Sequence, residues 1–307
     1  MRFDLDFEKR RELGYKLVDR INDYFAGLPT RPVQPPLETR GVAAAPRELP
    51  EVGEEPGAVF DDVLGELMDR GFHTASGNYF GLQNPTPTFV AVLTEMLVAA
   101  LNPQLASIAH SELAWRLEQE TVRWIGGRVG WAGPFDGTFT SGGSEANFTA
   151  LALALAAHVP GVVGDGVAAS GARPVLYATA EAHHSVDKAA GLLGLGRQAL
   201  RRIPVTPTVQ LDVERLEAQI WRDKAAGLLP FCVVATAGTT ASAAVDDIVA
   251  IAEVCDRHNL WLHVDGAYGG AVILSDRYRD VLRGIERADS VTLDPHKWLA
   301  MPMSAGM

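Results

Sequence analysis

The chain has 307 residues, 47% hydrophobic and 21% charged, and carries a formal net charge of −11. That is enough apolar material for one large globular domain or two smaller ones, and the acidic balance, with no dense Lys/Arg run to offset it, excludes nucleic acid as an expected partner. Two cysteines make no disulfide framework, the charged start "MRFDLDFEKRRELG" lacks a signal-peptide core, and no uncharged apolar run reaches the about 20 residues that span a bilayer, so a soluble cytoplasmic protein without membrane contact is expected.

Phe7, Leu13, Leu17, Ile21 and Phe25 recur at near-helical spacing and predict an amphipathic helix over residues 5–27. The proline-rich stretch "LPTRPVQPPLETRGVAAAPRELPEVGEEPG" has no usable periodicity and reads as an extended connector, followed by a helix over roughly Val59–Arg70. Residues 1–70 are therefore expected to form an N-terminal helical segment with its connector, and residues 71–307 a large globular domain.

Beyond Leu113 a long helix, with Leu117, Thr121, Trp124 and Ile125 on one side, leads into "GTFTSGGSEANFTALALALAAHV". A short strand, a Gly-rich turn and an apolar helix are predicted there. Four short apolar runs follow, "PVLYATA", "FCVVATAG", "LWLHVD" and "SVTL", and between the second and third Ile248, Ile251, Ala252 and Cys255 share a helix face. Strands alternating with helices predict an α/β fold with a mainly parallel sheet covered on both faces. The glycine cluster "GLLGLGR" follows no strand, matches no dinucleotide fingerprint and reads as a loop.

Nearly every run ends in residues able to do chemistry: His183, Thr236 to Thr240, Asp265, and Asp294 to Lys297. Ligands of open α/β sheets bind outside the carboxyl ends of the strands, so these groups should converge on one rim. Gly142 and Gly143 allow a tight turn and close backbone approach, and Ser144 opens a helix whose first N–H groups are unpaired. A phosphate cradle and an ordinary helix start explain those residues equally well. Asp265 ends an apolar strand, and a carboxylate buried there calls for a cationic partner. A metal lacks a second ligand at suitable spacing, since His263 faces away from its strand neighbours; a protonated ring nitrogen is the other candidate, and a turn cap the plainest reading. His183 and His184 are either structural or a source of an imidazole laid on an aromatic cofactor. Lys297 would usually be a surface residue, but between Pro295–His296 and Trp298 it is expected to be a nucleophilic amine with a lowered pKa. Cradle, buried acid, stacking imidazole and activated lysine together describe a site for pyridoxal 5′-phosphate.

The motifs "TSGGSEAN", "EAHHSVDKAA", "ATAGTTASAAVDDI", "HVDGAYGG" and "DSVTLDPHKW" resemble, in order and spacing, those of the group II pyridoxal-phosphate-dependent amino-acid decarboxylases, which include aromatic-L-amino-acid and glutamate decarboxylases. The resemblance implies a fold-type I, aspartate-aminotransferase-like large domain, a homodimer, and decarboxylation of an L-amino acid to its amine, aromatic substrates being slightly favoured. It implies that Lys297 is the Schiff-base lysine, that Asp265 pairs with the pyridine nitrogen, and that His183 stacks on the ring. Gly143 and Ser144 would hold the phosphate with help from Asp294 and His296, Thr240 would contact the cofactor, and Asn78–Pro85 would shape the substrate side. Ser111-Glu112 stands where the family usually has Ser-Pro. The family also continues past the lysine into the rest of the large domain, a small domain and a loop tyrosine. The chain is thus expected to be a fragment of a longer product or a shortened relative, which in the second case binds cofactor without turnover. Another fold-type I lyase reaction, such as retro-aldol cleavage, is the competing enzymatic reading.

Overall fold

The computed structural model describes residues 5–34, 51–82 and 85–307. The chain divides into two compact units, Met1–Thr86 and Pro87–Met307.

In the first unit, α1 (Phe7–Gly27) begins where the Asp6 carboxylate accepts the Lys9 N–H at 2.9 Å. α2 (Pro56–Arg70) begins under a Glu55 side-chain cap, with proline in its first turn, where the missing N–H would have had no intrahelical acceptor. Both helices were expected, the second starting three residues earlier than its apolar pattern suggested. Tyr24 links to this segment's end through its hydroxyl, 3.1 Å from His73 Nδ1, while Arg31 lies over the Tyr24 ring. Residues 35–50 of the proline-rich connector, and Gln83 and Asn84 of the expected substrate-side segment, lie outside the described residues.

In the second unit, α3 (Phe89–Leu101), α4 (Glu112–Val129), α5 (Gly143–His158) and α6 (Val162–Asp165) precede the sheet. Then come β1 (Pro174–Thr179), α7 (Ser185–Leu192), β2 (Leu200–Ile203), α8 (Val213–Ala225), β3 (Leu229–Thr236), α9 (Ile248–His258), β4 (Trp261–Asp265), β5 (Ser290–Thr292) and α10 (Pro295–Trp298). The strands lie in the order β2-β1-β3-β4-β5, every adjacent pair parallel. Strand order reverses between β1 and β3, the kind of switch point at which α/β sheets open a crevice.

Side chains alternate across the strands and both faces are buried. Tyr177, Val233 and Leu262 pack with Leu216 and Ile220 of α8, Ile251 and Val254 of α9 and Ile125 of α4. Leu176, Phe231 and Val234 pack with Leu151, Ala154 and Leu155 of α5 and Val186 and Ala189 of α7. A strand with two covered faces reads as a continuous apolar run, which is why β1, β3 and β4 were legible.

β2 was not foreseen, because Arg201 and Arg202 break its apolar pattern. Both arginines are neutralised: Arg201 Nε lies 3.1 Å from the Asp223 carboxylate, and Arg202 pairs with Asp187. The strand expected before Gly142 is a single antiparallel bridge between Thr140 and Gly306. The next residue, Met307, exchanges hydrogen bonds with Leu293 instead. Gly191 and Leu192 of the expected loop close α7, and the loop proper follows through Gly194 and Gly196, both at positive φ.

Leu151 is fully buried between α5 and the sheet, whereas Leu153 on the same helix is 54% exposed. Leu151→Ala should cost about 2–5 kcal/mol and Leu153→Ala within about 0.5 kcal/mol. Urea unfolding of the two variants checks this, and equal losses would contradict the packing described.

Candidate functional site

The carboxyl ends of three adjacent strands carry Thr236, Asp265 and Thr292 in register, Thr236 opposite Asp265 and Asp265 opposite Thr292. Period-two alternation keeps His263 and Asp265 on the side of β4 that α5 covers. Asp265 is 5% exposed. Its Oδ2 accepts from Asn147 Nδ2 at 2.9 Å and its Oδ1 from the Ala267 N–H at 3.2 Å. Among the described residues it has no ion-pair partner within 4.0 Å.

α5 starts beside this row. Gly142 holds φ at +149°, a conformation side chains rarely adopt, and the Glu145 carboxylate reaches back to the Ser141 N–H at 2.7 Å. The Ser141 side chain, and then its N–H, hold the Glu145 carboxyl below its usual range. A Cβ on Gly143 would lie 2.8 Å from Asp294 Oδ2 and 3.0 Å from the Ala267 methyl, so only glycine lets the helix start come this close to Asp294. Ser144 is exposed on the first turn, among N–H groups without intrahelical acceptors.

β5 runs into α10, which places Lys297 Nζ 2.9 Å from Asp294 Oδ2. Asp294 is 2% exposed, and burial pushes its carboxyl above the usual range against the opposing pull of Lys297 and His296. His296 is buried between Gly142 and Asp294, its Nε2 3.7 Å from Asp294 Oδ2. Trp298 is half exposed and tilts against Tyr268. Two buried oxygens in this region have no hydrogen-bond partner, Thr236 Oγ1 and Asp294 Oδ1. Unpaired buried polar atoms are costly, and polar groups of a ligand or an ordered water would satisfy them.

His183, beyond the end of β1, is half-buried, and its Nδ1 lies 2.9 Å from Ser185 Oγ. Burial lowers its pKa, with His184 adding to the fall, Asp265 opposing it and Lys297 adding again, so His183 is within electrostatic reach of both proposed site charges. His184 is exposed beside it.

Of the residues singled out in the sequence, the fold brings together His183, Asp265, Gly143, Asp294, His296 and Lys297. Thr240 is exposed; the buried hydroxyls here are those of Thr236, which ends β3, and Thr239. Asn78–Pro85 lies in the first unit, where Phe80 is 93% exposed.

Sequence reasoning passed over Asn147, which touches Asp265, Ser185 and His263 at once. Its signal was present: Asn147 stands one helical turn after Gly143, on the same face, in a helix already assigned to the site. Among the described residues no cluster of three or more His, Cys, Asp or Glu could hold a metal ion, and no helix is long and apolar enough to cross a membrane.

A family model described as the pyridoxal-dependent decarboxylase conserved domain matches residues 38–307. The aromatic-L-amino-acid decarboxylase of Bacillus atrophaeus is 33% identical over 303 residues, which cover 98% of this chain and 62% of the relative. Human cysteine sulfinic acid decarboxylase is 43% identical over 211 residues, covering 68% of this chain and 42% of the relative. The crystal structure of Oryza sativa TDC with PLP superposes with a TM-score of 0.87 at 30% identity, over all of this chain and 67% of that one. The chain thus spans less than two thirds of the length of both curated relatives, 62% of one and 42% of the other. The expected fold-type I large domain is the fold observed, and pyridoxal phosphate is the family's cofactor. The residues present fit that group: a buried acid with no ion-pair partner among the described residues, unpaired buried oxygens, a lysine, and a glycine-led helix start.

Burial pushes the pKa of His263 down to about 4, Asp265 opposing the fall. An unfolded histidine titrates near about 6.5, so between these values the unfolded chain holds the additional proton and stability falls as pH drops, by up to about 1.4 kcal/mol per pH unit. Urea midpoints of the wild type should therefore fall more steeply over this window than those of His263→Gln; parallel curves would contradict the assignment.

Proposed function

The chain belongs to the pyridoxal-dependent decarboxylase family, and from that premise we propose that it removes the α-carboxylate of an L-amino acid as carbon dioxide, using pyridoxal phosphate held through Lys297. The observation that carries this reading is Asp265, a buried carboxylate with two hydrogen bonds and no cationic side chain in contact. Hydrogen bonds orient a buried carboxylate but leave its charge unbalanced, and a protonated pyridine ring would balance it.

When bound, pyridoxal phosphate supplies an electron sink for the pair left behind as the bond from Cα to the carboxylate breaks. The chain's own residues do the rest. Lys297 Nζ would be the amine that holds the group, giving up a proton on attachment. Asp294 Oδ2, at 2.9 Å and with its carboxyl raised by burial, is placed to take that proton. Asp265 would keep the ring nitrogen's proton in place, most strongly where water is excluded. Gly143 and Ser144 offer the phosphate the N–H groups of the α5 start, which the helix dipole favours for an anion. His183 offers the face of its ring, and Thr240 and His296 complete the proposed contacts.

Aromatic amino acids are the favoured substrates in this proposal, supported by the Bacillus atrophaeus relative, which matches 98% of the chain. An acidic substrate is the second reading, supported by the higher identity, 43%, to the human cysteine sulfinic acid enzyme over a shorter stretch. The proposed working form is a homodimer. Its support is α3, which exposes Val90, Met96, Leu97 and Leu101, an apolar surface suited to cover by a second copy.

Mixed with pyridoxal phosphate, the chain should turn yellow, and borohydride should fix the group to the peptide containing Lys297; Lys297→Ala should show neither effect. A wild-type chain with no reducible adduct would sink the cofactor reading. Carbon dioxide release from a panel of amino acids should be greatest with aromatic ones. Preference for cysteine sulfinate or glutamate would replace the aromatic assignment, and retro-aldol products would replace decarboxylation.

A further inference from the structure

Behind Asp265 lies a line of polar side chains that the proposed chemistry does not itself require. Trp261 Nε1 lies 2.8 Å from Ser290 Oγ, and Ser290 Oγ 2.9 Å from His263 Nδ1. His263 Nε2 lies 3.0 Å from Asn147 Oδ1. Asn147 Nδ2 is 2.9 Å from both Asp265 Oδ2 and Ser185 Oγ, and Ser185 Oγ is 2.9 Å from His183 Nδ1. Asn147 is 1% exposed, Ser185 1% and His263 fully buried, so water does not offer these groups alternative partners.

Every hydrogen in this line has one possible direction. Asp265 is an acceptor, so the Asn147 group facing it is the amide NH₂, and Asn147 Oδ1 faces His263. A carbonyl oxygen only accepts, so His263 carries its proton on Nε2. Burial keeps that imidazole neutral, so Nδ1 accepts, and the Ser290 hydroxyl must donate to it. Ser290 Oγ in turn accepts from the indole N–H, which can only donate. On the other side, the second NH₂ hydrogen of Asn147 goes to Ser185 Oγ, which leaves the Ser185 hydroxyl proton for His183 Nδ1. The Ser185 backbone N–H also points at His183 Nδ1, at 3.3 Å, and a backbone N–H cannot accept. Both contacts require an unprotonated Nδ1.

We propose that Asn147, oriented by the Trp261–Ser290–His263 line, sets the Asp265 carboxylate and, through Ser185, fixes His183 as the tautomer with its proton on Nε2. Asn147, Ser185, His263 and Ser290 are then positioning residues, and His183 is a directed hydrogen-bond donor toward an acceptor on a bound molecule. A base at that position would need the opposite tautomer. The functional meaning rests on the cofactor reading above, but the tautomer is a property of the chain by itself. A linked network of this kind restricts rotation of each member, and a half-satisfied one would be costly in so dry a place.

The test is long-range ¹H–¹⁵N NMR of the purified chain with ¹⁵N-labelled histidine, the His183 ring signals being identified by their loss in His183→Gln. The wild type should show one protonated and one unprotonated ring nitrogen at neutral pH, the proton on Nε2. Ser185→Ala leaves only the longer backbone contact, and the His183 signals should shift toward a mixture of the two neutral tautomers. Ser185→Thr keeps the hydroxyl and should retain the wild-type pattern. Asn147→Ala should shift them in the same direction as Ser185→Ala. A wild-type ring with its proton on Nδ1 or on both nitrogens would overturn the proposal. An Nε2 tautomer unchanged in folded Ser185→Ala would also overturn it. Loss of the borohydride adduct with this pattern intact would count against the cofactor reading alone.

Discussion

A carboxylate 5% exposed at the end of a parallel strand is the constraint from which the rest of the site follows. A polar side chain so deeply buried needs fixed partners, and the chain provides two for Asp265, the Asn147 amide and the Ala267 N–H. Neither donor brings a full positive charge. The polar shell thus orients the carboxylate and leaves its charge for something else to balance.

The architecture explains how so few residues meet from such distant parts of the chain. Parallel strands put their carboxyl ends on one side, and the register lines up Thr236, Asp265 and Thr292. The same topology delivers the start of α5 and the short α10 to that side, where Gly143 lets the two approach until Asp294 stands against the α5 start. Stability and chemistry use the same elements here. α5 buries Leu151 and Leu155 against the sheet while its first turns present Gly143 and Asn147 to the site.

Much of this was legible because it is local in sequence. An apolar run followed at once by Asp, or by Asp-Pro-His-Lys, announces both a strand and what its end carries, and this located β4, β5, Asp265 and Lys297. Less legible was whatever depends on pairs far apart. Asn147 lies 118 residues from Asp265 and 116 from His263, so its place one turn after Gly143 hints at the site but not at which side chains it holds. β2 was hidden because its two arginines find acids on other elements, Asp223 and Asp187, and so can sit in a strand. His263 was correctly seen to face away from Leu262 and Val264. The consequence, that it shares a face with Asp265 and can hold the same asparagine, becomes visible only when α5 is laid across that face.

The most direct test of the central claim is a crystal structure of the chain grown with pyridoxal phosphate. Continuous density from Lys297 Nζ to the cofactor, with the ring nitrogen within hydrogen-bond distance of the Asp265 carboxylate, is the predicted result. A cofactor bound elsewhere, or a ring nitrogen turned away from Asp265 while Lys297 stays on Asp294, would contradict it.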